Sequence, residues 1–332
     1  MGLPDDSIAV FAPAASGMLG ARIASALGVA LSPHEEAEFT GREYKLRTLS
    51  CIRGRSVYVV QSLFGDAVGS ANDRLCQLLF FINALKDGGA SSVSACVPYL
   101  AYARQDRRVA PNDPLTTRYV AQLFEAVKVD RVVALDVHNL AAFENAFRCP
   151  TVHIEAAALF VKHFAANSAG ADYAVVSPDI GGVKRAHRVR DLLEIAIRRP
   201  VTFALMDKVR SAERVSGAVF AGDVAGRRVI VVDDLISSGT TVLHAMHACR
   251  RAGAARIDVA ATHASFSADA QRLFESDGPD SVVVTDSVAL DSRFARHTSD
   301  SLTVLDGAAL FADAIRALQP DAFPTRNGKR SC

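Results

Sequence analysis

Nowhere in these 332 residues is there an uncharged apolar run long enough to span a bilayer. The opening Met1-Gly2-Leu3-Pro4-Asp5-Asp6 is acidic and has too little apolar length for an export signal. A soluble protein that is not exported is therefore expected. The six cysteines, Cys51, Cys76, Cys96, Cys149, Cys249 and Cys332, include no CxxC pair and no spacing typical of a zinc site or disulfide framework, which fits a reducing cytoplasm. An excess of one charge is missing too: 37 Lys and Arg stand against 36 Asp and Glu. No global field draws nucleic acid or an anionic membrane, so any phosphate site must be local. There is no GxxxxGK[ST] segment, so Gly181-Gly182-Val183-Lys184 is not a Walker loop and a nucleotide must be held in another way. His244 and His247 have helical spacing for two metal ligands, but no third ligand is evident and a helix surface explains them better.

What remains is a chain 50% hydrophobic, which excludes disorder as the main description and suffices for one large or two medium cores. Short Val/Ile-rich runs, Val57–Gln61, Val93–Pro98, Val132–Leu135, Tyr173–Ser177, Val229–Val232, Ile257–Thr262 and Val282–Thr285, alternate with segments of helical period. Helices are expected at Asn72–Leu85, Pro114–Ala126, Gly182–Ile195 and Thr241–Ala252. The alternation predicts an α/β fold with mainly parallel sheets flanked by helices. A coarse repeat accompanies it. Gly54-Arg55-Ser56-Val57-Tyr58-Val59-Val60 parallels Gly226-Arg227-Arg228-Val229-Ile230-Val231-Val232, Gly89 to Val93 parallels Gly253 to Ile257, and Asp130 to Asp136 parallels Asp280 to Asp286. One such match is common wherever a helix ends at Gly before a buried strand. Three in the same order predict two similar domains, 1–150 and 151–320, followed by a polar, mobile tail at 321–332.

The strongest chemical signal is Val229-Ile230-Val231-Val232-Asp233-Asp234-Leu235-Ile236-Ser237-Ser238-Gly239-Thr240-Thr241. A buried strand brings two carboxylates to its C-terminal edge, where open α/β sheets bind ligands, and a turn of small residues opens the next helix. Ser238, Gly239, Thr240 and Thr241 offer hydroxyls and backbone N–H groups to a phosphate, and Asp233 and Asp234 suit ribose hydroxyls. A plain helix cap would account for the serines and threonines but not for adjacent acids at a strand end. Arg104-Gln105-Asp106-Arg107-Arg108 sets three guanidinium groups after an apolar strand, a charge cluster that is either a solvated turn or a polyphosphate grip. Asp136 and His138 stand two apart at a strand end, so their side chains leave on one side. Asp179 occupies a Pro-Asp-x-Gly-Gly turn, where a carboxylate can hold Mg²⁺ with water and substrate phosphates completing the shell. Lys208 and Arg210 lie in a polar stretch running to Gly217 that reads as a long mobile loop, whose two cations could close over a reacting polyphosphate.

The Val229–Thr241 segment resembles the phosphoribosyl pyrophosphate loop of the phosphoribosyltransferase fold. Further segments across most of the chain make it similar to the ribose-phosphate pyrophosphokinases: Pro98–Arg108, Asp136-Val137-His138, Val176–Gly182, Met206-Asp207-Lys208-Val209-Arg210 and Val283–Asp286. The resemblance implies two phosphoribosyltransferase-like domains, the first carrying the ATP-binding segments and the second the ribose 5-phosphate loop. It implies transfer of the diphosphoryl group of Mg-ATP to the C1 hydroxyl of ribose 5-phosphate, giving phosphoribosyl pyrophosphate and AMP. Lys208 would be catalytic with Arg210 assisting, and Val209 stands where the family often has a basic residue. Phe39, Gly41, Arg42, Glu43, Arg104 and Gln105 would bind ATP. Asp233, Asp234, Ser237, Ser238, Gly239, Thr240 and Thr241 would bind ribose 5-phosphate. His138 and Asp179 would form the Mg²⁺ site, with Asp136 a weaker third. Two departures stand out: the family's Phe-x-Asp-Gly-Glu reads Phe39-Thr40-Gly41-Arg42-Glu43, and its Asp-Thr-Gly reads Ser237-Ser238-Gly239. Self-association, as a homohexamer or dimer-based oligomer, is implied as well, because in the family the nucleotide segment of one subunit reaches a neighbour's site. The competing readings are a phosphoribosyltransferase, which needs neither a second similar domain nor the Arg104 segment, and a silent regulatory relative, against which Lys208, Arg210, His138 and Asp179 argue.

Overall fold

The computed structural model describes residues 7–168, 170–211, 214–297 and 301–319, and the side chains of 207–219 lie outside that description, as does the tail 321–332. Two compact units emerge. The first holds β1 (Ile8–Phe11), α1 (Gly17–Leu27), the hairpin β2 (His34–Glu38) and β3 (Tyr44–Thr48), β4 (Ser56–Val60), α2 (Ala71–Asp87), β5 (Ser92–Val97), α3 (Thr116–Ala126), β6 (Arg131–Leu135), α4 (Leu140–Ala146) and β7 (Thr151–Ile154). Among the described residues its main sheet runs β1-β4-β5-β6-β7, parallel from β1 to β6. Val57, Tyr58, Val59 and Val60 are all buried, as a strand covered on both faces requires. A capping box starts α2: the Asp73 N–H donates to Ser70 Oγ at 3.2 Å and the Ser70 N–H to Asp73 Oδ2 at 2.7 Å.

The second unit holds α5 (Ala157–Ala166), β8 (Tyr173–Ser177), α6 (Val183–Ile197), β9 (Val201–Ser211), β10 (Arg214–Ala221), β11 (Arg228–Ile236), α7 (Thr240–Arg251), β12 (Arg256–Ala264), β13 (Ser281–Thr285), α8 (Ser292–Ala295) and β14 (Leu302–Leu305). Its sheet runs β10-β9-β8-β11-β12-β13-β14 among the described residues, parallel apart from the β9–β10 hairpin. Val176, Met206, Val231, Met246, Val259 and Phe294 belong to one core beneath it.

The sequence repeat reappears in matching hydrogen bonds. The Gly54 N–H donates to the Gly89 carbonyl at 2.8 Å, as the Gly226 N–H does to the Gly253 carbonyl at 2.8 Å. All four glycines have positive φ, between 68° and 86°, a turn conformation that a Cβ disfavours. Asp130 accepts from the Val93 N–H at 2.5 Å, and Asp280 from the Ile257 N–H at 2.8 Å.

Two expectations are revised by these elements. A contiguous division near residue 150 assigns the last helix, α9 (Ala308–Ala317), to the second unit. By packing it sits with the first, against α1, while the short segment Leu135–His138 sits with the second. Sequence order alone cannot reveal this, because a helix packs on whichever apolar face accepts it. The polar stretch after Met206, read as a loop, is instead the β9–β10 hairpin, with Asp207 opposite Val219, Lys208 opposite Ala218 and Arg210 opposite Val215. Pairing satisfies the backbone of such an edge hairpin whatever its composition. Cys51, Cys76, Cys96, Cys149 and Cys249 are free thiols.

Candidate functional site

The C-terminal end of β11 carries Asp233 and Asp234, and the turn Ser237-Ser238-Gly239 leads into α7. Gly239 has φ +77°, and a Cβ there would lie 2.9 Å from two Leu273 side-chain atoms, so a larger residue would be strained in this turn. Ser238 Oγ and Thr240 Oγ1 lie 3.0 Å apart, and the Ser237 carbonyl accepts from the Ser267 N–H at 3.1 Å. Hydroxyls and the first-turn N–H groups of a 12-residue helix thus converge at one strand end, an arrangement suited to a phosphate.

The two carboxylates are not equivalent. Asp234 Oδ2 pairs with His138 Nδ1 at 2.8 Å, and its Oδ1 lies 3.7 Å from the Arg185 guanidinium. Burial opposes charge on Asp234, yet the His138 hydrogen bond and Arg185 hold its carboxyl below the usual carboxylate range. Burial, and then the charge of its neighbour, push Asp233 well above that range. The two carboxyls are thus shifted in opposite directions, Asp234 toward its charged form and Asp233 away from it.

His138 reaches this position from the segment after β6. Asp136, in the same segment, is 5% exposed, and its Oδ2 accepts from the Ala156 N–H at 3.1 Å and Thr262 Oγ1 at 2.5 Å. Asp179 sits in the turn between β8 and α6, its Oδ1 accepting from the Gly182 N–H at 3.0 Å. Among the described residues no group of three or more His, Cys, Asp or Glu converges as a metal cage.

The nucleotide candidates occupy other loops of the first unit. Phe39 and Glu43 close the β2–β3 hairpin, the Phe39 N–H donating to the Glu43 carbonyl at 2.8 Å, with Gly41 and Arg42 at positive φ. Phe39 is 54% exposed, and Arg42 bonds the Val68 carbonyl and lies 3.4 Å from Glu38. Arg104 is exposed. Gln105 is tied at its side chain to Thr116, at the start of α3. Lys208 and Arg210 lie on β9, but their side chains fall outside the described residues.

Sequence reasoning placed His138 and Asp234 in different subsites, and the fold joins them across 96 residues. It missed Arg185, Thr262 and His263 altogether. Arg185 follows the Gly181-Gly182 turn on α6, so its nearness to a strand-end turn was the available signal. Thr262 and His263 lie in an apolar strand and gave none.

The chain resembles known proteins over nearly its whole length. The sequence model for the N-terminal domain of ribose phosphate pyrophosphokinase matches residues 8–127, and that for the phosphoribosyl synthetase-associated domain matches 201–322. A ribose-phosphate pyrophosphokinase of Fusobacterium nucleatum is 33% identical over 93% of this chain and 94% of its own. One from Caldanaerobacter subterraneus is 35% identical over 93% and 94%. The crystal structure of phosphoribosylpyrophosphate synthetase from Mycobacterium smegmatis superposes with a TM-score of 0.83 at 31% identity, covering 94% of this chain and 98% of that one.

Proposed function

The chain belongs to the ribose-phosphate pyrophosphokinase family, enzymes that transfer diphosphate groups, and from that premise we propose that it moves the diphosphoryl group of ATP to ribose 5-phosphate. The C1 hydroxyl attacks the β-phosphorus, the bond from that phosphorus to the oxygen bridging it to the α-phosphorus breaks, and AMP leaves with that oxygen. The observation that carries this reading is the β11–α7 junction, where the adjacent carboxylates of Asp233 and Asp234, the latter paired with His138, precede the Ser237–Thr241 turn. The turn's N–H and hydroxyl groups hold the 5-phosphate, and Asp233 and Asp234 hold ribose hydroxyls. Phosphoryl-type transfer depends on alignment and charge stabilisation more than on a strong base. Lys208 and Arg210 supply positive charge to the moving diphosphate, and Arg104, Gln105 and Phe39–Glu43 hold ATP.

His138 and Asp179 fit Mg²⁺, because a cation that keeps water and substrate phosphates needs few protein ligands. His138 would hold the ion through its imidazole while its Nδ1 pairs with Asp234, the kind of carboxylate partner that orients metal-binding histidines. Asp136 fits poorly, being buried with Oδ2 already accepting twice. When bound, Mg²⁺ would neutralise polyphosphate charge. Self-association follows the same family reading, as does a cytoplasmic place for a chain in which no described helix is long and apolar enough to cross a membrane. The test is AMP release from ATP: it should require ribose 5-phosphate, and AMP formed equally without the sugar would reject the reading.

A further inference from the structure

β12 runs beside Asp234 in the sheet, Asp233 lying opposite Ala261 and Leu235 opposite His263. Thr262 is wholly buried there, His263 is 3% exposed, and Ser287, after β13, is 2% exposed. Packing alone does not ask for hydroxyl and imidazole groups in such a place, because buried polar groups cost stability unless they are bonded. Thr262 and His263 bond to the turn that carries His138, and Ser287 bonds to His263.

That turn is strained. Asp136 has φ +37°, an unusual value for a residue with a Cβ, and such conformations persist only when surrounding contacts impose them. Thr262 Oγ1 donates to Asp136 Oδ2 at 2.5 Å. His263 Nε2 lies 3.1 Å from the Leu135 carbonyl and 3.3 Å from the Asp136 carbonyl. Two carbonyl acceptors require a proton on Nε2, and burial favours the neutral ring. Nδ1 lies 2.8 Å from Ser287 Oγ, whose hydroxyl is also 3.1 Å from the Thr262 carbonyl, and this contact helps fix the ring plane. One strand thus borders Asp234 and also grips the backbone that aims His138 at it.

We propose that Thr262, His263 and Ser287 are positioning residues that impose the left-handed turn at Asp136 and thereby seat His138 on Asp234. The inference rests on His138 and Asp234 belonging to the reacting centre. Thr262→Val removes the hydroxyl at nearly constant volume, and Thr262→Ser restores it. The valine variant should lose about tenfold to a hundredfold in kcat, the scale of a small misplacement, with little change in KM for ATP, and the serine variant should recover most of it. Its crystal structure should show the His138–Asp234 bond lengthened beyond hydrogen-bond reach. A folded Thr262→Val protein with native kcat and that bond intact overturns the proposal, whatever its melting temperature. Should it fail to fold, Ser287→Ala probes the same turn through His263. A several-fold lower kcat with a displaced His138 supports the proposal, and unchanged kcat and geometry reject it. If the native protein makes no AMP from ATP and ribose 5-phosphate, the proposed function fails, while the His138–Asp234 distance in the variants still decides this inference.

Discussion

The two units are closely alike at one end of their sheets and unlike at the other. At the N-terminal strand ends, Gly54, Gly89 and Asp130 in the first match Gly226, Gly253 and Asp280 in the second, bond for bond. At the C-terminal ends the likeness stops. β4 runs on through buried Gln61 and Ser62 to the loop that caps α2 with Ser70, whereas β11 ends in Asp233, Asp234 and a turn of hydroxyls. Backbone turns that only fold the sheet are repeated, and the edge where α/β sheets bind ligands has diverged. The likeness extends to one helix of each unit: α9 packs on α1 in the first as α5 packs on α6 in the second, although each follows a strand of the other unit.

Removing α9 tests that last point and should have the largest effect. Chain ending at Asp306 loses buried Phe311, Ala312 and Ile315, about 5 kcal/mol of apolar burial at roughly 1.5–3 kcal/mol per large side chain, comparable to the whole stability of many domains. The first unit should then lose its cooperative melting transition, and a native-like transition in calorimetry would show that α9 is dispensable. Next in size, Lys208→Ala should lower kcat about a hundredfold or more with modest change in KM, as loss of a transition-state electrostatic contact does. Near-normal turnover would remove Lys208 from the chemistry.

The repeated edge predicts the opposite pattern. Asp130→Ala and Asp280→Ala each leave a strand N–H without its acceptor, at about 1–3 kcal/mol. Both should lower the midpoint of urea unfolding while activity per folded molecule stays native. A large loss of kcat from either would mean that the N-terminal edge also serves catalysis. The smallest effect separates the two carboxylates. Because Asp233 has its folded pKa raised, the native protein loses stability as pH climbs from the ordinary carboxylate range toward that higher value. Asp233→Asn removes this loss, so its stability relative to the native chain should rise with pH, and Asp234→Asn should do the reverse, since the Asp234 carboxyl is depressed. Urea midpoints from acid to neutral pH check both signs, and parallel curves would refute the division of roles.

Much of this was legible in order along the chain. The buried strands announced themselves as Val/Ile runs because a strand covered on both faces has no polar side to show. The Asp233–Thr241 segment was legible because its carboxylates, hydroxyls and glycine are consecutive, so one strand and one helix start suffice to bring them together. The β9–β10 hairpin was not, since an edge hairpin is held by backbone pairing that leaves little trace in composition.

The sequence by itself determined the α/β class, the repeat, the family and the phosphate-suited turn, all properties of local pattern and of residues adjacent in the chain. Tertiary structure alone decided that α9 completes the first unit, that His138 pairs with Asp234, and that Arg185, Thr262 and His263 surround them. The reason is physical: a buried Thr or His in an apolar strand looks like core until the fold supplies its partner, and here the partners lie up to 128 residues away.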